Sequence, residues 1–435
     1  MLDKKIASLA ERLKDVTVSR RRDLHAHPEP GWTEFRTAAM VAGILQNLGY
    51  SVQTGAAVVK EEEMMGVPSP EVLAAAEKQA VAEGADASWV EKMQGGKTGV
   101  TAVFSFDRPG PVVALRFDMD ANDVQETVEK EHRPSREGFS SVHQKSMHAC
   151  GHDGHTAVGL AVAEILLELK DELCGSVKLI FQPAEEGVRG ARAMVAAGVA
   201  DDVDYMLGAH FGFKMKHTGQ LAADVTGFLA TSKFDAEFTG VPAHAGAAPE
   251  TGKNALLAAA CATLNLHAIS RHGEGASRIN VGTLFAGSGR NVIGDKALLK
   301  FETRGANSRI NAYMAKEAQR ILQAAAAMYD VQLEIREMGG AAGASNTKEL
   351  SERIRRIAGN LGIFNDLPET SDFGASEDFS YFMERVQEIG GQAAYIMVGA
   401  DLAAGHHDSH FDFDEKSLDF ATKILVHTAA DLLKE

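Results

Sequence analysis

The segment Met147-His148-Ala149-Cys150-Gly151-His152-Asp153-Gly154-His155 brings three imidazoles, a thiol and a carboxylate into one short stretch. Imidazole nitrogen and thiolate sulfur are the preferred ligands of zinc-class ions, so this density points to a metal site and away from a run of polar turn residues. Gly151 and Gly154 permit a sharp or left-handed backbone path, and the apolar run 156–167 reads as a helix. Within a helix Cys150 and His152 would face different ways, whereas a turn aims both at one ion.

A second chemical signal is Glu185-Glu186, followed by Gly187. Adjacent side chains at a strand end point in different directions, so one carboxylate can bind metal while its neighbour handles protons. A zinc-class ion lowers the pKa of its water to about 7, and a general base must lie within hydrogen-bond reach of that water. An isolated Glu-Glu is more often a solvated loop pair; its place after an apolar run and before a glycine favours chemistry.

These groups need strands to position them. Pro111-Val112-Val113-Ala114-Leu115-Arg116-Phe117 runs into Asp118-Met119-Asp120, and Ser176-Val177-Lys178-Leu179-Ile180-Phe181 runs toward the glutamate pair. The apolar run 203–209 delivers His210, and the run 393–399 precedes His406 and His407. Short continuous apolar runs fit strands covered on both faces, and open α/β sheets carry their ligands beyond the carboxyl ends of the strands. Residues far apart in sequence therefore converge: Cys150, His152, Glu186, His210 and His407 are the candidate ligands. Five exceed the four of a structural zinc site, so two ions sharing a ligand are expected, and with them hydrolysis of an amide or ester. Asp118 and Asp120 either bind metal or hold a ligand histidine in place, and the latter is preferred.

The chain has 435 residues, 45% hydrophobic and 24% charged, which suits a soluble globular protein of two or three domains. A formal net charge of -16 argues against nucleic acid as a partner and requires local arginines for any anionic substrate. The first residues lack the apolar core of a signal peptide and no run is long enough to span a bilayer. Three cysteines argue for a reducing compartment, so the expected location is cytoplasmic.

Between 223 and 340 the pattern changes to strand, helix, two strands, helix and strand, the ferredoxin-like order. It interrupts a larger α/β domain, dividing the chain as 1–222, 223–340 and 341–435, and its exposed sheet face or edge suits dimerisation. A further departure is the stretch 59–98, where Ser69 is expected to cap an Ala/Glu-rich helix with Pro70 in its first turn, stopped by Gly84. A solvated surface insertion is expected there, with a lid as the alternative.

With these residues in hand, the chain closely resembles the M20 family of metallopeptidases, in its amidohydrolase subfamily. The marks are Arg22-Asp23-Leu24-His25-Ala26-His27-Pro28-Glu29, Asp118-Met119-Asp120, the His148–His155 octet, the glutamate pair, Ala243-His244-Ala245 and Ser376-Glu377-Asp378-Phe379. The resemblance implies a mixed-sheet dinuclear metallohydrolase domain with an inserted ferredoxin-like dimerisation domain. It also implies two divalent ions per subunit, zinc or manganese, held by Cys150, His152, Glu186, His210 and His407, with Glu185 as base. His244 would stabilise the oxyanion across a dimer, Asn291 would contact substrate, and Arg304 would bind a carboxylate. The family's C-terminal histidine is normally followed by a proline that is missing in His407-Asp408-Ser409-His410-Phe411; spacing to Phe411 selects His407 over His406 and His410.

Within the subfamily, the stretch 59–98, the segment 185–194 and Ala403-Ala404-Gly405-His406-His407 resemble hydrolases of p-aminobenzoyl-glutamate. The implied activity is hydrolysis of the amide bond in N-acyl or N-aroyl acidic amino acids, here p-aminobenzoyl-glutamate to p-aminobenzoate and glutamate. Alternatives are an indole-3-acetyl-aspartate hydrolase and a non-catalytic subunit of a hetero-oligomeric hydrolase. A homodimer is the expected assembly; the alternative is pairing with a related sister subunit. Most of the wider subfamily carries glycine at the position of Arg189, whose guanidinium is expected either to bind the side-chain carboxylate of an acidic leaving group or to form a surface salt bridge.

Overall fold

The computed structural model describes residues 2–434. Two compact units share the chain: one takes the residues up to Thr226, Ser345–Phe373 and those from Asp378 on, the other Gly227–Ala344 with Gly374–Glu377.

The first unit is built on a seven-stranded mixed sheet in the order β1 (Ser51–Thr54), β2 (Val100–Ser105), β4 (Ser176–Gln182), β3 (Val112–Asp118), β5 (Tyr205–Phe211), β13 (Gln392–Val398) and β6 (Leu221–Ala222). The four central strands, β4-β3-β5-β13, are mutually parallel, and antiparallel neighbours close both flanks. Asp118 is level with Gln182, and His210 with Met397, so the four carboxyl ends open along one edge. These are the strands that the four apolar runs anticipated, and they are buried along nearly their whole length. The helices Leu2–Ala26, His152–Glu168 and Lys416–Leu432 pack against one another, while Ala191–Ala196 packs with Phe379–Glu388. A short parallel pair, β7 (Val225–Thr226) with β12 (Ser371–Asp372), completes this unit.

Gly151 lies at φ +95° immediately before the His152–Glu168 helix, so the chain turns sharply between Cys150 and His152, as expected. Gly154 has a different reason from the turn anticipated for it. It is helical, and a Cβ there would come within 2.7 Å of the Phe413 ring and 2.9 Å of the Phe211 ring. Close packing, not backbone freedom, demands glycine at 154.

Beneath this helix start sits a buried ion network. Arg21, fully buried, donates through Nε to Asp153 (2.8 Å) and through Nη2 to Asp412 (3.0 Å). Asp153 also pairs with His25 (2.8 Å), whose other ring nitrogen lies 3.0 Å from Glu126. Burial opposes the charge of Asp153, but Arg21 and His25 outweigh it and hold the acid well below the usual carboxylate range. A carboxylate in the first helical turn is also favoured by the helix dipole.

The stretch 59–98 is more than a solvated surface insertion. Its helices are Pro70–Ala82 and Ala87–Lys92, and Ala80, Trp89, Val90 and Met93 enter the core of the first unit. Trp32 donates its indole N–H to the Met65 carbonyl (2.8 Å), and Thr98 donates to buried Glu34 (2.6 Å). Pro70 does open its helix, but the Ser69 side chain makes no capping hydrogen bond to the backbone.

The second unit runs β8 (Ala230–Thr239), helix Ala255–His267, β9 (Ser277–Ala286), β10 (Lys296–Gly305), helix Ser308–Met328 and β11 (Gln332–Ala341). Its fully antiparallel sheet has the order β11-β8-β10-β9, the ferredoxin-like arrangement. Asn254 and Asn307 cap the two helices by accepting from Leu257 and Ile310 amides. Both helices cover one face around Phe234, Leu299, Phe301, Met314 and Leu322. The edge strand β9 leaves Leu284 and Phe285 exposed.

The buried network should dominate stability. Arg21→Ala strands Asp153 and Asp412 in the interior and is expected to cost about 3–5 kcal/mol in urea unfolding. Lys5→Ala, which removes an exposed pair with Glu172, should cost less than about 1 kcal/mol. Equal losses from the two variants would contradict this assignment.

Candidate metal centre

His152 opens its helix with Nδ1 donating to the Asp120 carbonyl (2.8 Å) and within 3.2 Å of the Asp120 carboxylate. That fixes the tautomer and turns the Nε2 lone pair inward, where the atom is buried without a hydrogen-bond partner. His210, near the end of β5, donates from Nδ1 to its neighbour's carbonyl, Phe211 O (2.8 Å), which leaves Nε2 facing Cys150 Sγ at 3.5 Å. The candidate ligand atoms of Cys150, His152 and His210 all lie within 4.8 Å of one another. So do those of Cys150, Glu186 and His407, and those of His152, Glu185 and Glu186. The overlapping groups make one continuous cluster of the five candidate ligands, with Glu185 beside it.

The C-terminal loop decides among its three histidines. The His407 amide donates to Ala149 O (2.8 Å), tying the loop to the octet, and its ring lies 3.2 Å from Glu186 Oε1. His406 instead stacks on Phe213 with ring centroids 4.2 Å apart, and His410 faces Glu129 at 3.3 Å.

Asp120 spends its carboxylate on backbone: Oδ1 accepts from the Glu185 amide (3.0 Å) and Oδ2 from the Glu186 amide (2.8 Å). Asp118 sits between Arg116 (2.6 Å) and His155 (2.6 Å), with one oxygen 3.8 Å from His152 Nε2. Asp118, His152 and His155 form a further group able to hold an ion, so both expected roles of Asp118 stay open.

The electrostatics suit a cation. Burial disfavours charge on His152, but Asp118, Asp120 and Glu186 outweigh it and push the ring up to about 10. Burial and the carboxylates of Glu186, Glu185 and Asp118 push the Cys150 thiol well above its ordinary value. His210 is held neutral by burial and by the rings of His155 and His406. Burial opposes charge on Glu186 too, yet His407 and His152 bring it down to about 2. Without an ion this pocket must carry protons on its ligands; soft sulfur, imidazole and carboxylate donors around an unpartnered Nε2 fit a zinc-class ion that would replace them.

Three further expected site residues lie in the second unit. His244 accepts from the Gly246 and Ala247 amides at Nδ1 (3.1 and 3.0 Å), so its exposed Nε2 carries the hydrogen. It pairs with Val292 in an isolated bridge, and the Ala245 amide donates to Asn291 O (3.0 Å), bringing His244 and Asn291 side by side. Arg304 is paired with Glu302 on its own strand (2.9 and 3.3 Å). Arg189, in the first unit, directs Nε to Glu186 O (2.8 Å) and Nη1 to Gly66 O (3.0 Å).

Several contributors carry no mark in the sequence. Asn122 accepts from the Ala149 amide (3.1 Å), Glu34 accepts from the Ala184 amide (2.7 Å), and His155 ties Asp118 to the Phe211 amide. His148 is buried with both ring nitrogens unpartnered, and burial pushes it down to about 3. The one available signal for Glu34 is an acid directly before the apolar Phe35–Leu48 helix.

The parallel strand ends and their thiol, imidazole and carboxylate groups define a metal-dependent α/β hydrolase. Residues 114–431 match peptidase family M20/M25/M40, and the chain belongs to that family. It is 50% identical to one of the named subunits of the p-aminobenzoyl-glutamate hydrolase of Escherichia coli (strain K12), over 98% of this chain and 97% of that one. It is 48% identical to the indole-3-acetyl-aspartic acid hydrolase of Enterobacter agglomerans, over 94% of each. The crystal structure of an aminobenzoyl-glutamate utilization protein from Klebsiella pneumoniae superposes with a TM-score of 0.84 at 41% identity, covering 97% of both chains.

Metal uptake should therefore be proton-linked. Below their raised pKa values Cys150 and His152 hold protons that an ion must displace, so affinity rises with pH, by about tenfold per pH unit for each proton displaced. Calorimetric titration of the metal-free chain with zinc between pH 6 and 9, in buffers of different ionisation enthalpy, should show proton release. Uptake that is independent of both pH and buffer would contradict it.

Proposed function

We propose that this chain hydrolyses the amide bond of N-aroyl acidic amino acids, with p-aminobenzoyl-glutamate as substrate and p-aminobenzoate and glutamate as products. The observation that carries the reading is the meeting of Cys150, His152, Glu186, His210 and His407 beside Glu185 at one sheet edge. The relatives named above supply the substrate class. The similarity to the indole-3-acetyl-aspartic acid hydrolase favours a second reading, in which an aspartate conjugate of another flat acyl group is cleaved.

In this proposal Cys150, His152, Glu186, His210 and His407 hold two divalent ions, zinc or manganese. Such a pair supplies Lewis-acid polarisation of the scissile carbonyl and of the attacking water. Glu185 accepts the proton of that water and returns it to the leaving amine. Asp120 keeps the glutamate pair and His152 in register, and Asp118 orients the pocket from below. His244, whose Nε2–H is an available donor, stabilises the oxyanion across a homodimer formed by the ferredoxin-like domain. Asn291 and Arg304 contact substrate, the latter on release from Glu302. The chain divides functionally at about 222 and 340, and the cytoplasm is its proposed location.

The purified chain, loaded in turn with zinc and manganese, should release amine from p-aminobenzoyl-glutamate or indole-3-acetyl-aspartate faster than from hippurate, and a chelator should abolish turnover. Glu185→Gln should lower kcat by about 10²–10⁴-fold while retaining metal. Inactivity of the loaded chain on all three amides would favour dependence on a sister chain, and an undiminished Glu185→Gln enzyme would remove the base.

A further inference from the structure

The turn that carries Glu185 and Glu186 is held in an unfavourable backbone conformation. Ala184, Gly187 and Val188 have φ of +51°, +82° and +60°. For a β-branched residue such as Val188 the left-handed region is a marked outlier, and local strain of this kind persists only where the surroundings over-determine it. The head of the turn is fixed by two acids: Glu34 accepts from the Ala184 amide (2.7 Å), and Asp120 from the amides of Glu185 and Glu186.

The tail is fixed by Arg189. Its Nε donates to the Glu186 carbonyl (2.8 Å) and its Nη1 to the Gly66 carbonyl (3.0 Å). Its Nη2 lies so close to Gly31 that a Cβ there would approach it to 2.4 Å. Gly66 belongs to the stretch 59–98, which is itself anchored on both sides of this turn. The Met65 carbonyl accepts from Trp32 (2.8 Å), the Lys60 amide donates to Ala193 O (3.0 Å), and Glu63 pairs with Arg192 (3.1 Å). Through Thr98 and Glu34 the same stretch also reaches the head of the turn.

We propose that Arg189 is a positioning residue: its guanidinium clamps the Glu186 carbonyl to the Gly66 carbonyl, so that the stretch 59–98 buttresses the turn presenting Glu185 and Glu186. The planar fork of arginine spans two carbonyls and a glycine at once, which a single ammonium cannot do with the same geometry. This assignment takes the place of the substrate-carboxylate contact expected from the sequence, and it makes the stretch 59–98 a fixed support instead of a lid. It rests on the proposed roles of Glu185 and Glu186.

The test compares Arg189→Ala, Arg189→Lys and Glu185→Gln on an aroyl-glutamate and on the aroyl-leucine with the same acyl group. Displacement of the turn should lower kcat about 10²-fold on both amides in Arg189→Ala, change KM by less than about threefold, and be partly restored in Arg189→Lys. Amide hydrogen exchange in 185–189 and 60–66 should accelerate together in Arg189→Ala, a readout that needs no turnover. A KM increase confined to the glutamate substrate, or unchanged exchange in both segments, would overturn the clamp. If Arg189→Ala fails to fold, Gly31→Ala displaces the same guanidinium while leaving it in place. It should reproduce the loss of kcat and the faster exchange; if it leaves both as they were, the clamp is overturned. A Glu185→Gln enzyme with full activity alongside an impaired Arg189→Ala would remove the base assignment and leave the clamp standing.

Discussion

The carboxylate of Asp120 is the constraint on which the rest of the site depends. It accepts the amides of Glu185 and Glu186, and both its side chain and its carbonyl face His152 Nδ1. One short acid just past β3 thereby ties three separate chain segments to a common origin: its own strand end, the turn after β4, and the first residue of the His152–Glu168 helix. A buried carboxylate can do this because charge-assisted hydrogen bonds to backbone amides are stronger than neutral ones and shorter in reach. Each ligand then inherits its direction from backbone, which moves less than a free side chain.

Burying that acid, with Asp118, Asp153, Glu34 and Arg116 nearby, is tolerable only because every one of them has partners. Arg116 reaches Asp118, Gln182 and Asp378, and Asp378 in turn accepts the amides of Gly190 and Ala191. On the other side Arg21, His25, Asp153, Asp412 and Arg133 form the second network. The metal cluster lies between these two ionic frames, and its own groups are the exception. His152 Nε2 has no partner within the protein, and the Cys150 thiol and His152 ring are pushed toward protonated states by the carboxylates around them. The framework is satisfied and the centre is not, which is the pattern expected where a bound cation completes the charge balance.

The signals legible in the sequence are those whose chemistry is local. A thiol and an imidazole separated by one glycine, two adjacent glutamates after an apolar run, and a histidine ending another run each announce themselves by residue type. The parallel order of the strands that carry them is legible because runs buried on both faces have no alternation. What stays hidden depends on contacts between distant segments. Glu34 matters because its carboxylate meets Ala184 far along the chain, and Arg21 because Asp153 and Asp412 are folded around it. Gly154 reads as a turn residue, yet the need for glycine there comes from the Phe211 and Phe413 rings.

By itself the sequence determined which groups would do chemistry and which strand ends would deliver them, because ligand type and hydrophobic period are properties of the chain. It also determined the βαββαβ order of the inserted domain, since each element there carries its own period and caps. Only the tertiary structure decided which of His406, His407 and His410 joins the cluster: the link from the His407 amide to Ala149 O exists only once β13 lies beside β5. Only the tertiary structure, too, turned Arg189 away from a surface role and gave the stretch 59–98 a grip on the Glu185–Glu186 turn. Hydrogen-bond partners drawn from distant segments leave no periodic mark in a sequence, because nothing local requires them until the fold brings them within reach.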